Sequence, residues 1–333
     1  MALALHRHRV RDRVRDVREA GNDAKGLLAQ DQSESVREVR VKSSIRIIIA
    51  SFLVATFALP ALAIDPPQAA ALQHEGRQKF ASSFAYIIPN ERQYYQFADA
   101  NRGLRGTFIG VGTFRVLAGA SYGDFDQVIF ADLDQRVVDF NRVQIEILAK
   151  SNDVSDFLSR LARRTDPQNP TSRDFNSYAD SVSRLMADDP GGSFLTDHRK
   201  FLHLRELARA GRMHSIPMSL TGSTGYEKLG RLLRKEGSTV GVIDVSNAPD
   251  YIKTESKNWG AFERNLRTLP WAPDGIVNFT TEYARGFSWD HTSVPIERYL
   301  TAMQPVRQDR ANFSPFIKNL VETARGQRCA ALF

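Results

Sequence analysis

Cysteine is all but missing from these 333 residues: Cys329 stands alone. An intramolecular disulfide and a cysteine-based metal site are therefore excluded, and one thiol does not report the redox compartment. Cys329 is left to pair with another chain, to carry a modification, or to be a spare residue of the tail RCAALF. A histidine metal set is missing too. His198 and His203 are five apart, a spacing that does not place two imidazoles on one helix face, and His6 and His8 lie far upstream. There is no G-x-S-x-G nucleophile elbow, and the run Gly222-Ser223-Thr224-Gly225 has the wrong order to supply one. Concentrated positive charge is absent from most of the chain despite its formal net charge of +7. Residues 1–63 hold 11 Lys and Arg against 7 Asp and Glu, whereas 64–333 hold 34 against 31. The bulk of the protein thus lacks the basic footprint of a nucleic-acid binder. No internal repeat is visible.

What is present is an ordinary globular composition, 42% hydrophobic and 25% charged, preceded by an export-like leader. Lys42 and Arg46 give a positive n-region, 47–59 an apolar run, and Pro60 a break. Ala61-Leu62-Ala63 then has the small-x-small pattern of a signal-peptidase site, with Ile64 as the mature N-terminus. The Arg-rich stretch 1–40 belongs to no ordinary signal peptide. Either translation starts at Val41, or the leader is an uncleaved signal anchor whose apolar run of about 17 residues sits at the short limit for a span. Both readings place 64–333 outside the cytoplasm, with membrane contact only through 45–63 and only where the leader is uncleaved.

Along 64–333 the apolar spacing switches repeatedly between helical and strand periods. Strands are predicted at 107–109, 127–131, 213–220, 239–245 and 275–280. Helices are predicted at 66–82, after Asn90, at 114–120, in two pieces over 135–164, and at 194–210, 226–236, 261–266, 296–303 and 316–324. The segment 164–192 is polar and broken by proline and glycine, which reads as an insertion or lid outside the core. Strands alternating with helices imply one doubly wound, mostly parallel α/β domain over 64–333.

In such a sheet, ligands bind beyond the carboxyl ends of the strands, so the strand tips carry the candidate site. Gly110 and Gly112 form a G-x-G turn after the first strand, either a structural tight turn or a place where a ligand meets the backbone. Arg115 occupies the third position of a G-x-G-x-x-G fingerprint, which disfavours pyrophosphate binding of the dinucleotide type. Asp132 follows Gly112 by twenty residues at the tip of the second strand, where a carboxylate can accept from both hydroxyls of a ribose. Asp134 reads as a helix N-cap or a solvated charge. The turn 221–225 and the tip Asp244, Ser246 and Asn247 lie where further cofactor or substrate contacts would fall, with helix capping the alternative for Thr221 and Ser246. His291, beside Asp290, is either an acid–base group or a surface-loop histidine. No catalytic residue can be assigned.

The runs FIGVGTFRVLAG, FADLD, VSDFLSRLARR, FLTDHRKFLHLRELARAG, VGVIDVSNAPDYI and NLRTLPW resemble, in order and spacing over 84–285, an uncharacterised bacterial family of methyltransferase-like proteins. The resemblance implies the class I fold of S-adenosylmethionine methyltransferases. On it Gly110 and Gly112 match the cofactor loop, Asp132 the ribose-binding acid, and Asp244, Ser246 and Asn247 the segment after the fourth strand. Ile109 stands where that class usually carries an acid before the first glycine. Two functions are therefore expected to compete. One is methyl transfer from S-adenosylmethionine to an unknown acceptor; the other is a non-enzymatic exported scaffold for a different small ligand or a protein partner.

Overall fold

In the computed structural model, which describes residues 72, 86–87, 93–164, 172–187, 192–252, 256–284, 288–308 and 320, two short apolar runs form the centre of a sheet. TFIG makes strand β1 (Thr107–Gly110) and QVIFAD makes β2 (Gln127–Asp132), buried throughout except at Asp132. Continuous rather than alternating apolarity is what a parallel strand covered by helices on both faces requires. Strands β3 (Met213–Pro217), β4 (Val240–Asp244), β5 (Trp271–Ala284) and β6 (Ser288–Pro295) complete the order β3-β2-β1-β4-β5-β6. Neighbours pair parallel except β5 and β6, which run antiparallel. This is the mostly parallel α/β sheet that the alternation predicts.

Between β1 and β3 lie helices α1 (Phe114–Ser121), α2 (Gln135–Lys150), α3 (Val154–Ala162), α4 (Ser172–Ala187) and α5 (His198–Arg209). Helices α6 (Gly225–Lys235), α7 (Ala248–Ile252) and α8 (Ser256–Arg267) follow β3 and β4, and α9 (Ile296–Gln308) follows β6. Successive strand residues point to opposite faces and so sort these helices into two layers. Phe108, Val128 and Phe130 share a core with Leu117, Phe140, Phe157 and Phe201. Ile109, Ile129 and Ile243 share the other with Tyr226, Trp259, Phe262 and Tyr299. The chain changes face after β3, and the strand order reverses between β1 and β4. The crevice beyond the carboxyl ends of β1 and β4 is thus the topological switch point.

Two departures from the sequence reading bear on function. The described part of 164–192 is helix α4, and its Tyr178 and Val182 are fully buried, so this segment contributes to the core instead of lying outside it. The apolar positions Phe175, Tyr178, Val182 and Leu185 recur at helical spacing inside an otherwise polar run, and the prolines and glycines flank this helix without interrupting it. The second departure is β6, a polar run that the pattern does not mark as a strand and that pairs from Ser288 to Pro295 along β5. The leader, the helix expected at 66–82 apart from residue 72, the cap at Asn90, the helix at 316–324 apart from residue 320, and Cys329 lie outside the described residues. Among the described residues no helix is long and apolar enough to cross a membrane, and no cluster of His, Cys, Asp and Glu could hold a metal ion.

Candidate functional site

The loop from β1 into α1 is fixed from three sides. Val111 N–H donates to the carbonyl of Asp244 at 2.9 Å, which ties the end of β1 to the end of β4. Thr113 Oγ1 donates to the carbonyl of Ile87 at 2.6 Å. Gly112 donates its N–H to Asp132 Oδ2 at 3.1 Å and accepts from Asn141 Nδ2 at 2.9 Å. Gly112 has φ +97°, a conformation that side chains rarely adopt, and the direction its Cβ would take is empty. The two glycines of the G-x-G turn therefore differ in role. A Cβ on Gly110 would meet Val116 Cγ2 at 2.8 Å and Phe108 Cε1 at 3.0 Å, so Gly110 lets α1 pack on β1, whereas Gly112 faces open space.

Asp132 sits beside that opening and is only partly exposed. Its Oδ1 accepts from Asp134 N–H at 2.9 Å and its Oδ2 from Gly112 N–H. Lost hydration nevertheless dominates and pushes the carboxyl up to about 6, helped by the nearby Asp134 charge and opposed by these backbone donors. Each carboxylate oxygen keeps accepting capacity toward a ligand. Asp134 takes the capping role, accepting from Arg136 N–H at 2.9 Å at the start of α2. The phenol of Tyr226, in the first turn of α6, is buried and has no hydrogen-bond partner.

At the β4 tip the arrangement is different. Asp244 is fully buried and clasps Arg115, which is 3% exposed. Arg115 Nε lies 2.8 Å from Oδ1 and 2.9 Å from Oδ2, its Nη2 lies 2.7 Å from Oδ1, and its Nη1 donates to Thr280 Oγ1. The rings of Phe97 and Tyr94 cover the guanidinium at 5.0 and 5.9 Å. His291, opposite Thr280 in the β5–β6 register, packs edge-on against the same two rings and is buried. It is thus neither a surface-loop residue nor an open acid–base group. Asp244 Oδ1 also accepts from Ser246 N–H at 3.0 Å. Ser246 has a left-handed φ of 54°, rare for a residue with a side chain, and with Asn247 it stays partly exposed just past the end of β4.

The six candidate residues thus gather at one end of the sheet. Gly112 faces open space with the partly exposed Asp132 bonded to it, Ser246 and Asn247 follow β4 partly exposed, Gly110 serves helix packing, and Asp244 is occupied by Arg115. The turn 221–225 lies next to α6 and is held by Asn265, whose Nδ2 donates to the carbonyls of Leu220 at 2.9 Å and Gly222 at 2.8 Å. Sequence reasoning missed Arg115, Thr280 and Tyr226. For Arg115 a signal exists: it is a charge inserted in an otherwise apolar helix, FRVLAGAS, that has no polar face.

Comparison with known proteins gives a family without a known activity. The chain matches a family described as a domain of unknown function (DUF7790) over residues 86–169 and 168–314. No curated protein matches it.

Proposed function

The chain belongs to that family of unknown function, and from this premise we propose that it binds S-adenosylmethionine beyond the carboxyl ends of the strands, on the β1–β2 side of the switch-point crevice, as a methyltransferase-like protein acting on an unknown acceptor. The observation that carries the reading is the Gly112–Asp132 pair. A glycine held at positive φ with empty space before it lies hydrogen-bonded to a carboxylate that stays partly exposed while losing much of its hydration. An acid kept at such a cost beside an opening is a feature of ligand sites. The strand order and the switch point support a class I methyltransferase type of sheet, although fold alone assigns no chemistry.

The residues fit the nucleoside end of the cofactor. Asp132 would accept from the ribose hydroxyls, and Gly112 would let the ligand approach the main chain. The amino-acid end has no matching acid, since Ile109 is buried and apolar. When bound, S-adenosylmethionine supplies an electrophilic methyl group. The chain's own part would be to hold the nucleoside and align an acceptor, so proximity would carry much of any rate gain.

Calorimetric titration of S-adenosylmethionine into the full-length chain tests this. Micromolar binding is expected, weakened about 10- to 150-fold in Asp132→Asn, because a hydrogen bond to a charged group is worth about 1.5–3 kcal/mol. Wild-type protein that fails to bind at millimolar ligand would sink the proposal. That outcome would favour the second reading, a non-enzymatic scaffold. The observation behind it is the Arg115–Asp244 pair, which fills the β4 side of the switch point with the protein's own charges. For either function we propose export, with the chain cleaved after Ala63.

A further inference from the structure

Gly112 is clamped at both of its polar groups. Its N–H donates to Asp132 Oδ2 at 3.1 Å, and its carbonyl accepts from Asn141 Nδ2 at 2.9 Å. Asn141 lies in the second turn of α2, the helix that starts just past the Asp132 tip, and is fully buried. A glycine at φ +97° has no side chain to hold it, so hydrogen bonds at these two groups fix its conformation. An amide can turn over and present oxygen where nitrogen is needed, and here that is prevented. Asn141 Oδ1 accepts from Gln144 Nε2 at 2.5 Å, and Gln144 Oε1 accepts from Tyr178 Oη at 2.9 Å, with Gln144 and Tyr178 fully buried as well. Burial pushes the Tyr178 phenol far up, so it keeps its proton and donates. A phenol that donates at one end and a carbonyl that can only accept at the other leave one orientation for the two amides between them.

We propose that Asn141 is a positioning residue for the candidate site: by holding the Gly112 carbonyl it keeps the Gly112 N–H on Asp132, with Gln144 and Tyr178 setting the direction of its amide. The inference rests on reading the Gly112–Asp132 pair as the ligand site and adds the residue that holds the pair together. Its consequence is the charge state of Asp132. Burial pushes this carboxyl up to about 6, and the Gly112 N–H is one of the donors that keep it from rising further. An ionised Asp132 accepts on both oxygens, as the hydroxyls of a ribose require, whereas a protonated one presents a donor in place of an acceptor. Asp134 beside it and Tyr226 of α6, which also interact with its charge, are left in place by changes at Asn141 or Tyr178.

The test follows the Asp132 carboxyl by carbon NMR in the full-length chain, its resonance identified by loss in Asp132→Asn, beside calorimetric titration of S-adenosylmethionine at two pH values. In Asn141→Leu the carboxyl midpoint is expected to rise by about one pH unit, because a hydrogen bond to a charged group is weakened. Tyr178→Phe, which keeps the ring and removes only the hydroxyl, should give a smaller rise in the same sense. With the midpoint so moved, Asn141→Leu should bind S-adenosylmethionine about fivefold more weakly than wild type at pH 6 and nearly equally at pH 8. A merely structural loosening would weaken binding alike at both. An unmoved midpoint in folded Asn141→Leu, or in Tyr178→Phe should the first variant not fold, overturns the inference and leaves the crevice reading standing. Wild type that fails to bind at millimolar ligand overturns the crevice reading, and the role of Asn141 in ligand binding with it.

Discussion

Asp132 and His214 are both held in protonation states that their surroundings have to force, in opposite senses. Burial pushes the Asp132 carboxyl from 3.8 up to about 6 and the His214 imidazole, whose Nε2 is buried without a partner, from 6.5 down to about 4. A raised carboxyl gives stability that is complete below pH 3.8 and lost as pH rises through about 6. A depressed imidazole gives stability that is complete above pH 6.5 and lost as pH falls through about 4. Each shift amounts to about 3 kcal/mol. Between pH 6.5 and 4 the two nearly cancel, so neither is visible in the wild type. Asp132→Asn should be more stable than wild type at pH 8 by about 2–3 kcal/mol and should lose that advantage toward pH 4. His214→Leu should instead gain stability on acidification over the same window. Urea midpoints measured from pH 4 to 8 check both, and a variant curve parallel to wild type would remove that group. The same accounting shows why Asp132 reads as functional: at neutral pH its charge costs the fold stability.

Elements are joined at the site by side chains that bridge long stretches of sequence. The Arg115–Asp244 pair pins α1 to β4, and through Thr280 to β5. A buried ion pair gives little net stability, yet removing one partner leaves the other charge uncompensated, at a cost of about 3–5 kcal/mol. Arg115→Met is therefore expected to lower the unfolding free energy by that amount, and the double variant Arg115→Met/Asp244→Leu to recover most of it. Denaturant titration of the three proteins decides, and a double variant no better than the single one would mean the pair is not an isolated unit. A second bridge reaches the glycine turn from α4. Tyr178 Oη donates to Gln144 Oε1 at 2.9 Å, Gln144 Nε2 to Asn141 Oδ1 at 2.5 Å, and Asn141 Nδ2 to the Gly112 carbonyl. The segment that composition marks as a lid thus carries the far end of a buried chain that braces Gly112. Composition averages over a helix's two faces, and here the polar face outweighs the buried one.

For the molecule as a whole, the charge distribution and the leader bear on where the protein works. The near balance of 34 basic and 31 acidic residues over 64–333 gives the body no long-range pull toward nucleic acid. If residues 41–63 are a signal peptide, expression in a bacterium should yield a product outside the cytoplasm whose first residue, by N-terminal sequencing, is Ile64. A chain that keeps 1–63 and sediments with the membrane would make the leader an anchor, and a cytoplasmic full-length chain would remove export altogether. The family covers most of the body without naming an activity, so the chemistry of this molecule has to be read from its crevice.

The sequence by itself determined the alternation of strands and helices, the glycine turn and the acidic tip. All of these are written in short-range patterns: apolar runs, residues without a Cβ, a twenty-residue spacing across one strand–helix–strand unit. The tertiary structure decided what those patterns cannot carry. Arg115 and Asp244 lie 129 residues apart, and Tyr178 reaches Gln144 from 34 residues away. Such pairs depend on strand order and on which face each helix covers. The same dependence buries His291 in β6 and turns Asp244 from an open strand tip into the partner of a guanidinium, while Asp132 stays at the opening.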